Sequence, residues 1–291
     1  MAADARAAIY CPDGKTYDLK PGQSQGCPCT APSRGLVYNG GFIPGTRGHD
    51  TTRGEFPLVL APRKGFLLTT RPIIRWSPVT SPRPGGVIVY TVIMTTEAGE
   101  QVWRREGVTG TELDYPVDAP GLARGESYKA VVQFGKKSSA QEKTAHLGFT
   151  VITDTDAKAV RDAEAAARLL KLPEPQKRLV VADLYASQEL SSEAIEMLTG
   201  LTKTLKEPAV LRLLGDLYAA SGLHPEAVRQ YEEAMKLPQI ETDLEGQALT
   251  LAALGRSYSA LDDAEQANSR FTRAVDLYRK LGEKVTIEQL R

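Results

Sequence analysis

The chain has 291 residues, of which 42% are hydrophobic and 25% charged, and its formal net charge at pH 7 is zero. This composition is ordinary for a globular protein, and the length is sufficient for two domains. No apolar run reaches the roughly 18 residues of a membrane-spanning helix, and the chain lacks the basic excess expected of a nucleic-acid-binding protein. The composition therefore predicts neither a transmembrane segment nor a nucleic-acid partner.

The two halves of the chain differ in charge. Residues 1–150 carry a net charge of +5 and residues 151–291 a net charge of −5. This asymmetry favours docking of the halves or steering of a partner, and the alternative is two unrelated modules with solvated surfaces. The start at Met1 lacks the basic flank and apolar core of a secretory signal, so we expect a cytosolic protein or a mature or truncated form.

Residues 1–62 predict a small cysteine-containing hairpin followed by an irregular linker. Two short strands are expected on either side of Asp13-Gly14, and Cys27-Pro28-Cys29 follows them. This arrangement resembles the closing strands of the FecR-like β-module of some bacterial envelope proteins. The resemblance covers only this short segment and implies an incomplete module.

All three cysteines of the chain, Cys11, Cys27 and Cys29, lie in this first segment. A disulfide from Cys11 to Cys27 or Cys29 would stabilise a segment too small to form its own core, which favours an oxidising compartment. A periplasmic or envelope-associated location is therefore expected, with reduced cytoplasmic thiols as the alternative. A metal site needs a fourth ligand, for which His49 is the nearby histidine, and we predict neither a metal nor a cofactor.

Residues 63–153 predict an all-β sandwich. Strand-forming runs include the alternating residues 87–94 and 128–134, and turn residues separate them. The order Pro72-x-x-x-Trp76, Tyr90, Trp103 and Leu122-x-x-Gly125-x-x-Tyr128 resembles the fibronectin- or immunoglobulin-like module of bacterial multidomain proteins. The resemblance implies that Trp76 lies in the core and that Tyr128 forms a tyrosine-corner-like turn. The alternative is that Trp76 and Trp103 form an exposed carbohydrate-binding platform.

Residues 154–291 predict an all-α domain, because alanine, leucine and glutamate recur with helical spacing from this point on. A first helix is expected over 157–171, with Asp154 or Asp156 as its N-cap. Pro208 and Pro225 stand at helix starts, where the missing N–H costs nothing.

One spacing recurs in this second half. Leu214-Gly215-x-x-Tyr218 is followed by Ala227, Tyr231 and Ala234, and the same pattern recurs 40 residues later. Its members there are Leu254-Gly255-x-x-Tyr258, Ala267, Phe271 and Ala274, and a weaker copy begins at Val181-Ala182-x-x-Tyr185. The pattern resembles the tetratricopeptide repeat, which implies about three helical hairpins stacked around a groove that holds another polypeptide.

The resemblance also implies which residues face the groove, because the first helix of each repeat lines it. The candidate partner-binding residues are Asp183, Arg212, Asp216, Arg256 and Ser259. Acidic Asp183 and Asp216 stand where chaperone-binding members have asparagine, so a carboxylate-clamp co-chaperone is not expected. A mixed-charge peptide or helix suits this set, and the alternative is that the four charged residues pair only with one another.

No catalytic constellation is visible in the sequence. Of the three histidines, His49 lies in the linker, His146 near a predicted strand and His224 beside Pro225 in a helix-opening turn. No nucleophile motif or phosphate-binding loop occurs, so an enzyme is not expected. Three functions remain, namely a protein-interaction adaptor, an adhesion or glycan-binding module with a repeat spacer, and a regulatory subunit of a separate enzyme. Apolar Leu277, Leu281 and Ile287 in addition predict an end of the repeat stack open to self-association.

Overall fold

The structure is a computed structural model that describes residues 7–10, 16–19, 56–80, 86–142 and 147–291. It divides into two units, Met1–Gly41 and Phe42–Arg291. In the first unit, β1 (Ala7–Tyr10) and β2 (Thr16–Leu19) pair antiparallel, with Ala7 opposite Leu19. Cys11, Cys27, Cys29, His49 and His146 lie outside the described residues, so the disulfide stays a prediction.

The described part of the second unit begins with nine strands, which together we call the β region. They are β3 (Val59–Ala61), β4 (Phe66–Leu67), β5 (Ile73–Trp76), β6 (Val89–Thr96), β7 (Gln101–Thr109), β8 (Glu112–Asp114), β9 (Ser127–Phe134), β10 (Lys137–Ser138) and β11 (Phe149–Val151). One sheet has the order β4-β11-β9-β6-β7 with β10 beside β9, and the other has the order β3-β5-β8. The β4–β11 pair is parallel and the other pairs are antiparallel. This mixed sheet departs from the purely antiparallel sheets of an immunoglobulin-type sandwich.

Both sheets contribute side chains to one hydrophobic core. Alternate residues of β6 and β9 point inward, as the period of a strand requires, and Trp76 of β5 packs edge-on against Tyr90 at 5.4 Å between ring centroids. Trp76 is 1% exposed, and the half-buried Trp103 packs on Tyr115 at 5.3 Å. The hypothesis that Trp76 belongs to an exposed carbohydrate platform is therefore wrong, because its ring fills the core.

Eight helices follow the strands. They are α1 (Asp154–Arg168), α2 (Glu174–Ser187), α3 (Ser191–Leu201), α4 (Pro208–Ala220), α5 (His224–Met235), α6 (Leu244–Ala260), α7 (Ala264–Lys280) and α8 (Ile287–Leu290). The N-cap of α1 is Thr153, whose hydroxyl accepts from the Asp156 N–H at 3.2 Å. The predicted N-cap at Asp154 or Asp156 is wrong, because both residues lie inside the first turn, where their charges complement the helix dipole.

Helices α2 to α7 form three antiparallel hairpins with a common turn. In each turn the residue at positive φ follows the first helix and directs the chain into the second. A backbone N–H then donates to the carbonyl of the tyrosine five residues earlier. These bonds run from Leu190 to Tyr185, from Leu223 to Tyr218 and from Asp263 to Tyr258, at 2.8–3.0 Å. We call α2, α4 and α6 the inner helices and α3, α5 and α7 the outer helices.

Glycine permits close packing within the second and third hairpins. A Cβ atom on Gly215 would lie 2.4 Å from the ring of Tyr231, and one on Gly255 would lie 2.5 Å from the ring of Phe271. Both rings are almost completely buried. The first hairpin has Ala182 in place of the glycine and Leu198 in place of the aromatic ring. Because leucine is smaller than tyrosine or phenylalanine, it leaves room for the methyl group of Ala182.

Residues 64–68, which we call the strap, connect the β region to the turns of the first two hairpins. The Phe66 N–H donates to the Glu189 carbonyl at 3.0 Å, and the Leu68 N–H donates to Oε1 of Glu193 at 2.6 Å. Phe66 and Leu68 pack against the core of α1 to α4. A Cβ atom on Gly65 would lie 2.4 Å from the Glu189 oxygen, so this approach requires glycine. The strap therefore orients the β region relative to the helices.

The segment after α7 packs back onto the third hairpin. Leu277 and Leu290 are each 9% exposed, and Val285 and Ile287 pack against the same core. Leu281 remains 40% exposed. The expectation that Leu277 and Ile287 are open is therefore wrong, because they pack with Leu290 in the core of α6 and α7. No helix in the described ranges is long and apolar enough to span a membrane.

Candidate functional site

The inner helices carry all five predicted partner-binding residues. Asp183 lies on α2, Arg212 and Asp216 lie on α4, and Arg256 and Ser259 lie on α6. Because α4 contacts α6 directly, their charged side chains are neighbours across two repeats. Stacked hairpins of this kind present the first helices along one concave face. We call the set Asp183, Arg212, Asp216 and Arg256 the charged groove.

Asp216 lies at the centre of the charged groove. One carboxylate oxygen accepts from the Tyr231 hydroxyl at 2.7 Å, and the other lies 3.8 Å from Nη1 of Arg212. Partial burial raises the pKa of the Asp216 carboxyl, while the Tyr231 hydroxyl and the charges of Arg212 and Arg256 act to lower that pKa. Burial and the Asp216 charge raise the pKa of the Tyr231 hydroxyl strongly, so Tyr231 remains a hydrogen-bond donor.

Arg256 occupies the position after Gly255, as Asp216 occupies the position after Gly215. The guanidinium of Arg256 is exposed enough to reach a partner and donates to the Leu290 carbonyl at 3.2 Å. Phe271, the counterpart of Tyr231, has no hydroxyl. Within the part of the chain that the structure describes, Arg256 is held by the neutral Leu290 carbonyl, in addition to its longer-range attraction to Asp216.

Asp183 lies on inner helix α2 and Ser259 on inner helix α6, and both residues are exposed. The first hairpin offers Asp183 no hydroxyl, because Leu198 stands where Tyr231 stands in the second. Among the described residues, Asp183 forms no ion pair. The structure thus brings Arg212, Asp216 and Arg256 together. Ser259 lies one helical turn beyond Arg256 on α6, and Asp183 lies on α2.

The same inner helices also carry small and apolar side chains that are not fully buried. Ala186 and Ala219 are half-buried on α2 and α4, and Val180 and Leu249 are 37% and 36% exposed on α2 and α6. Small side chains leave room for a bound segment, and exposed apolar side chains supply contact area. The inner helices therefore carry partly exposed apolar side chains in addition to four charged groups.

Two residues that support the groove are missing from the predicted set. Tyr231 holds Asp216, and Leu290 supplies the carbonyl that holds Arg256. The sequence contains a signal for Tyr231, because an aromatic residue with a hydroxyl in one repeat faces an aspartate, and Phe271 faces an arginine in the next. Leu290 has no such signal, because it lies outside the repeats.

His224 begins α5, the outer helix of the second hairpin, beside the strap. Burial lowers the pKa of its imidazole to about 4, and the charges of Lys64 and Arg63 add to this effect. Lys64 itself donates to the Ala220 carbonyl at 3.4 Å. His224 is therefore neutral at pH 7 and belongs to the contact between the β region and the helices.

Residues 206–280 match the family model described as tetratricopeptide repeat, which spans the second and third hairpins. None of the curated proteins compared with the chain matches it. A crystal structure of MamA is similar at 17% identity, with 44% of this chain and 74% of that chain covered and a TM-score of 0.37. The Sgt2 TPR domain from Aspergillus fumigatus is similar at 18% identity, with 41% and 75% covered and a TM-score of 0.35.

The family match confirms the predicted tetratricopeptide pattern for the second and third copies. The first hairpin lies outside the matched residues, although its turn has the same hydrogen bond. Proteins built from these repeats hold protein partners, so the fold is consistent with a scaffold role. The two solved structures are too distant in sequence and shape to add to this argument.

Proposed function

We propose that the protein is a non-enzymatic adaptor or scaffold whose charged groove binds a polypeptide partner. The observation that carries the proposal is the convergence of Arg212, Asp216 and Arg256 on adjacent inner helices of a repeat stack. One hydroxyl orients the carboxylate, and one carbonyl orients a guanidinium. The Tyr231 hydroxyl and Arg212 hold the Asp216 carboxylate in place before a partner binds, which lowers the ordering cost of recognition.

The β region acts in this proposal as a fibronectin- or immunoglobulin-like module that positions the repeats. Its support is a core shared by two sheets and the turn before β9, where the Tyr128 hydroxyl accepts from the Ala123 N–H at 2.9 Å. That bond matches the tyrosine-corner-like turn which the resemblance implies. The strap fixes the orientation of this module, so an anchor on the β region would also orient the charged groove.

The assembly is placed at a bacterial envelope in this proposal, with the N-terminal segment as a FecR-like remnant. Three cysteines in a short segment favour an oxidising compartment, because a disulfide stabilises what a small core cannot. Thiol quantification on protein purified from its native compartment tests the location. We expect two of the three thiols to be blocked, and three free thiols would favour the cytoplasm.

Site-specific photo-cross-linking in the source organism tests the adaptor function. A photoreactive residue at Ser259, in the groove, is expected to capture a protein that the same residue at Asp276, on outer helix α7, does not capture. Arg212→Glu/Arg256→Glu should abolish the capture. Arg229→Glu/Arg279→Glu is the matched control, because it changes the same charge on exposed outer-helix arginines. Equal capture from Ser259 and Asp276 would place the partner site elsewhere.

A further inference from the structure

The charges of the groove are distributed unevenly between its two ends. At the end formed by α2, Asp183 is exposed and has no ion-pair partner among the described residues. At the end formed by α4 and α6, Arg212 and Arg256 share the single carboxylate of Asp216. The groove is therefore acidic at the first repeat and basic at the second and third.

Among the four residues of the charged groove, the basic end has two guanidinium groups and one carboxylate. The Asp216 carboxylate already accepts a hydrogen bond from Tyr231. Its negative charge is therefore shared among one hydroxyl and two guanidinium groups. The side chains of Arg212 and Asp216 are 30% and 39% exposed. Solvent therefore screens their charges less than it screens charges on a fully exposed surface. An unbalanced cation in such a position favours a bound anion.

Arg256 has a replaceable partner. It donates to the neutral Leu290 carbonyl at 3.2 Å, and a carboxylate is a shorter and stronger acceptor for a guanidinium. An incoming acidic side chain therefore gains a charge-assisted hydrogen bond on Arg256 when it displaces the weaker one.

We infer that the charged groove binds a charge-segregated polypeptide segment, with acidic side chains on Arg212 and Arg256 and a basic side chain on Asp183. This inference rests on the proposed function and adds the chemistry and polarity of the partner. Packed helices are about 8–10 Å apart, so two steps separate Asp183 from Arg256 by roughly 20 Å. An extended chain covers that span in about six residues.

Fluorescence anisotropy with three labelled peptides tests the inference. The first peptide has a glutamate cluster and a lysine cluster about six residues apart. In the second and third, glutamine replaces the lysines or the glutamates. We expect the bipolar peptide to bind the full chain about tenfold more tightly than the acidic peptide, which corresponds to about 1.4 kcal/mol for the second contact. The basic peptide should bind most weakly.

Charge reversal separates the two ends of the groove. Arg256→Glu should weaken the bipolar and acidic peptides and spare the basic one, whereas Asp183→Lys should weaken the bipolar and basic peptides and spare the acidic one. Arg279→Glu on outer helix α7 makes the same charge change as Arg256→Glu and should change none of the three affinities. Circular dichroism of each variant verifies that it folds.

Three results would overturn the inference. They are equal affinity of the acidic and bipolar peptides, a uniform effect of Asp183→Lys on all three, and no binding of any peptide. If cross-linking from Ser259 persists in any of these cases, the adaptor function is retained. Only the proposed charge segregation of the bound segment is then rejected. Concentration-dependent self-association that Arg256→Glu abolishes in sedimentation would identify a second copy as the occupant instead.

Discussion

The second and third hairpins have the same packing geometry and different groove chemistry. In both, glycine on the inner helix admits an aromatic ring from the outer helix, Tyr231 against Gly215 and Phe271 against Gly255. The residue after the glycine is Asp216 in one and Arg256 in the other. The ring hydroxyl is present where it can donate to a carboxylate and absent where it would face a guanidinium.

This difference shows how a repeat separates stability from recognition. The glycine and the ring determine how closely the two helices approach, and they are buried. The next residue along the inner helix reaches the groove, so its charge changes without altering the hairpin. The hydroxyl of Tyr231 links stability to recognition, because it belongs to a buried side chain and donates a hydrogen bond to the groove residue Asp216.

The largest effect is expected when the shared packing is blocked. Gly215→Ala and Gly255→Ala should each lower the free energy of unfolding by about 2 kcal/mol, because the added methyl group overlaps a buried ring. Gly200→Ala in α3 is the control, since nothing lies within 4 Å of its added Cβ, and helix propensity should raise stability by about 0.5 kcal/mol. Chemical denaturation measures both. A stabilising Gly215→Ala would contradict the close approach.

The second prediction uses a residue that only the second hairpin has, His224, which corresponds to Ala264 in the third. Its folded pKa of about 4 lies below the usual 6.5, so the fold favours the neutral imidazole. That stability is present above pH 6.5 and is lost as pH falls towards 4. The change in pKa corresponds to roughly 3 kcal/mol, and the partial exposure of His224 reduces the expected loss to about 2 kcal/mol. Denaturation of wild type and His224→Ala across this range measures it. Parallel pH profiles of the two proteins would contradict a buried neutral His224.

A smaller effect is expected from exchanging the ring hydroxyl. Tyr231→Phe should cost about 1–2 kcal/mol, because Asp216 loses its donor in a half-buried site. Phe271→Tyr alone should not stabilise the third hairpin, whereas Phe271→Tyr with Arg256→Asp should recreate the second. A double-mutant cycle on these two positions measures the coupling. Additive effects would show that the hydroxyl and the carboxylate do not interact.

The smallest effect concerns the turns. Gly222 and Asp262 occupy equivalent positions with φ of +76° and +59°, a conformation that glycine adopts more readily. Asp262→Gly should therefore stabilise the chain by about 0.5–1 kcal/mol, and Gly222→Asp should destabilise it by a similar amount. Thermal unfolding compares the pair. The same sign for both substitutions would show that the two turns are not equivalent.

The sequence predicted the repeats well and their surroundings less well. Helix starts at Pro208 and near Pro225 follow from local chemistry, and so does the glycine–aromatic spacing. The N-cap of α1 at Thr153 was missed because the four consecutive residues 153–156 are all good N-cap residues, and only the backbone conformation selects among them. The parallel β4–β11 pair was also missed, because such a short strand has no readable period.

The sequence by itself determined the three hairpins and the identity of the groove charges, because both depend on residues a fixed number of positions apart on a helix. Arg212 and Asp216 are four residues apart on one helix, whereas tertiary structure alone brought Arg256 to them and decided what holds Asp216 and Arg256. The strap reaches Glu193 across 125 residues, and Arg256 reaches Leu290 across 34, and no local pattern encodes such separations. These contacts depend on shape and on the need of buried polar groups for partners, which become defined only once the chain has folded.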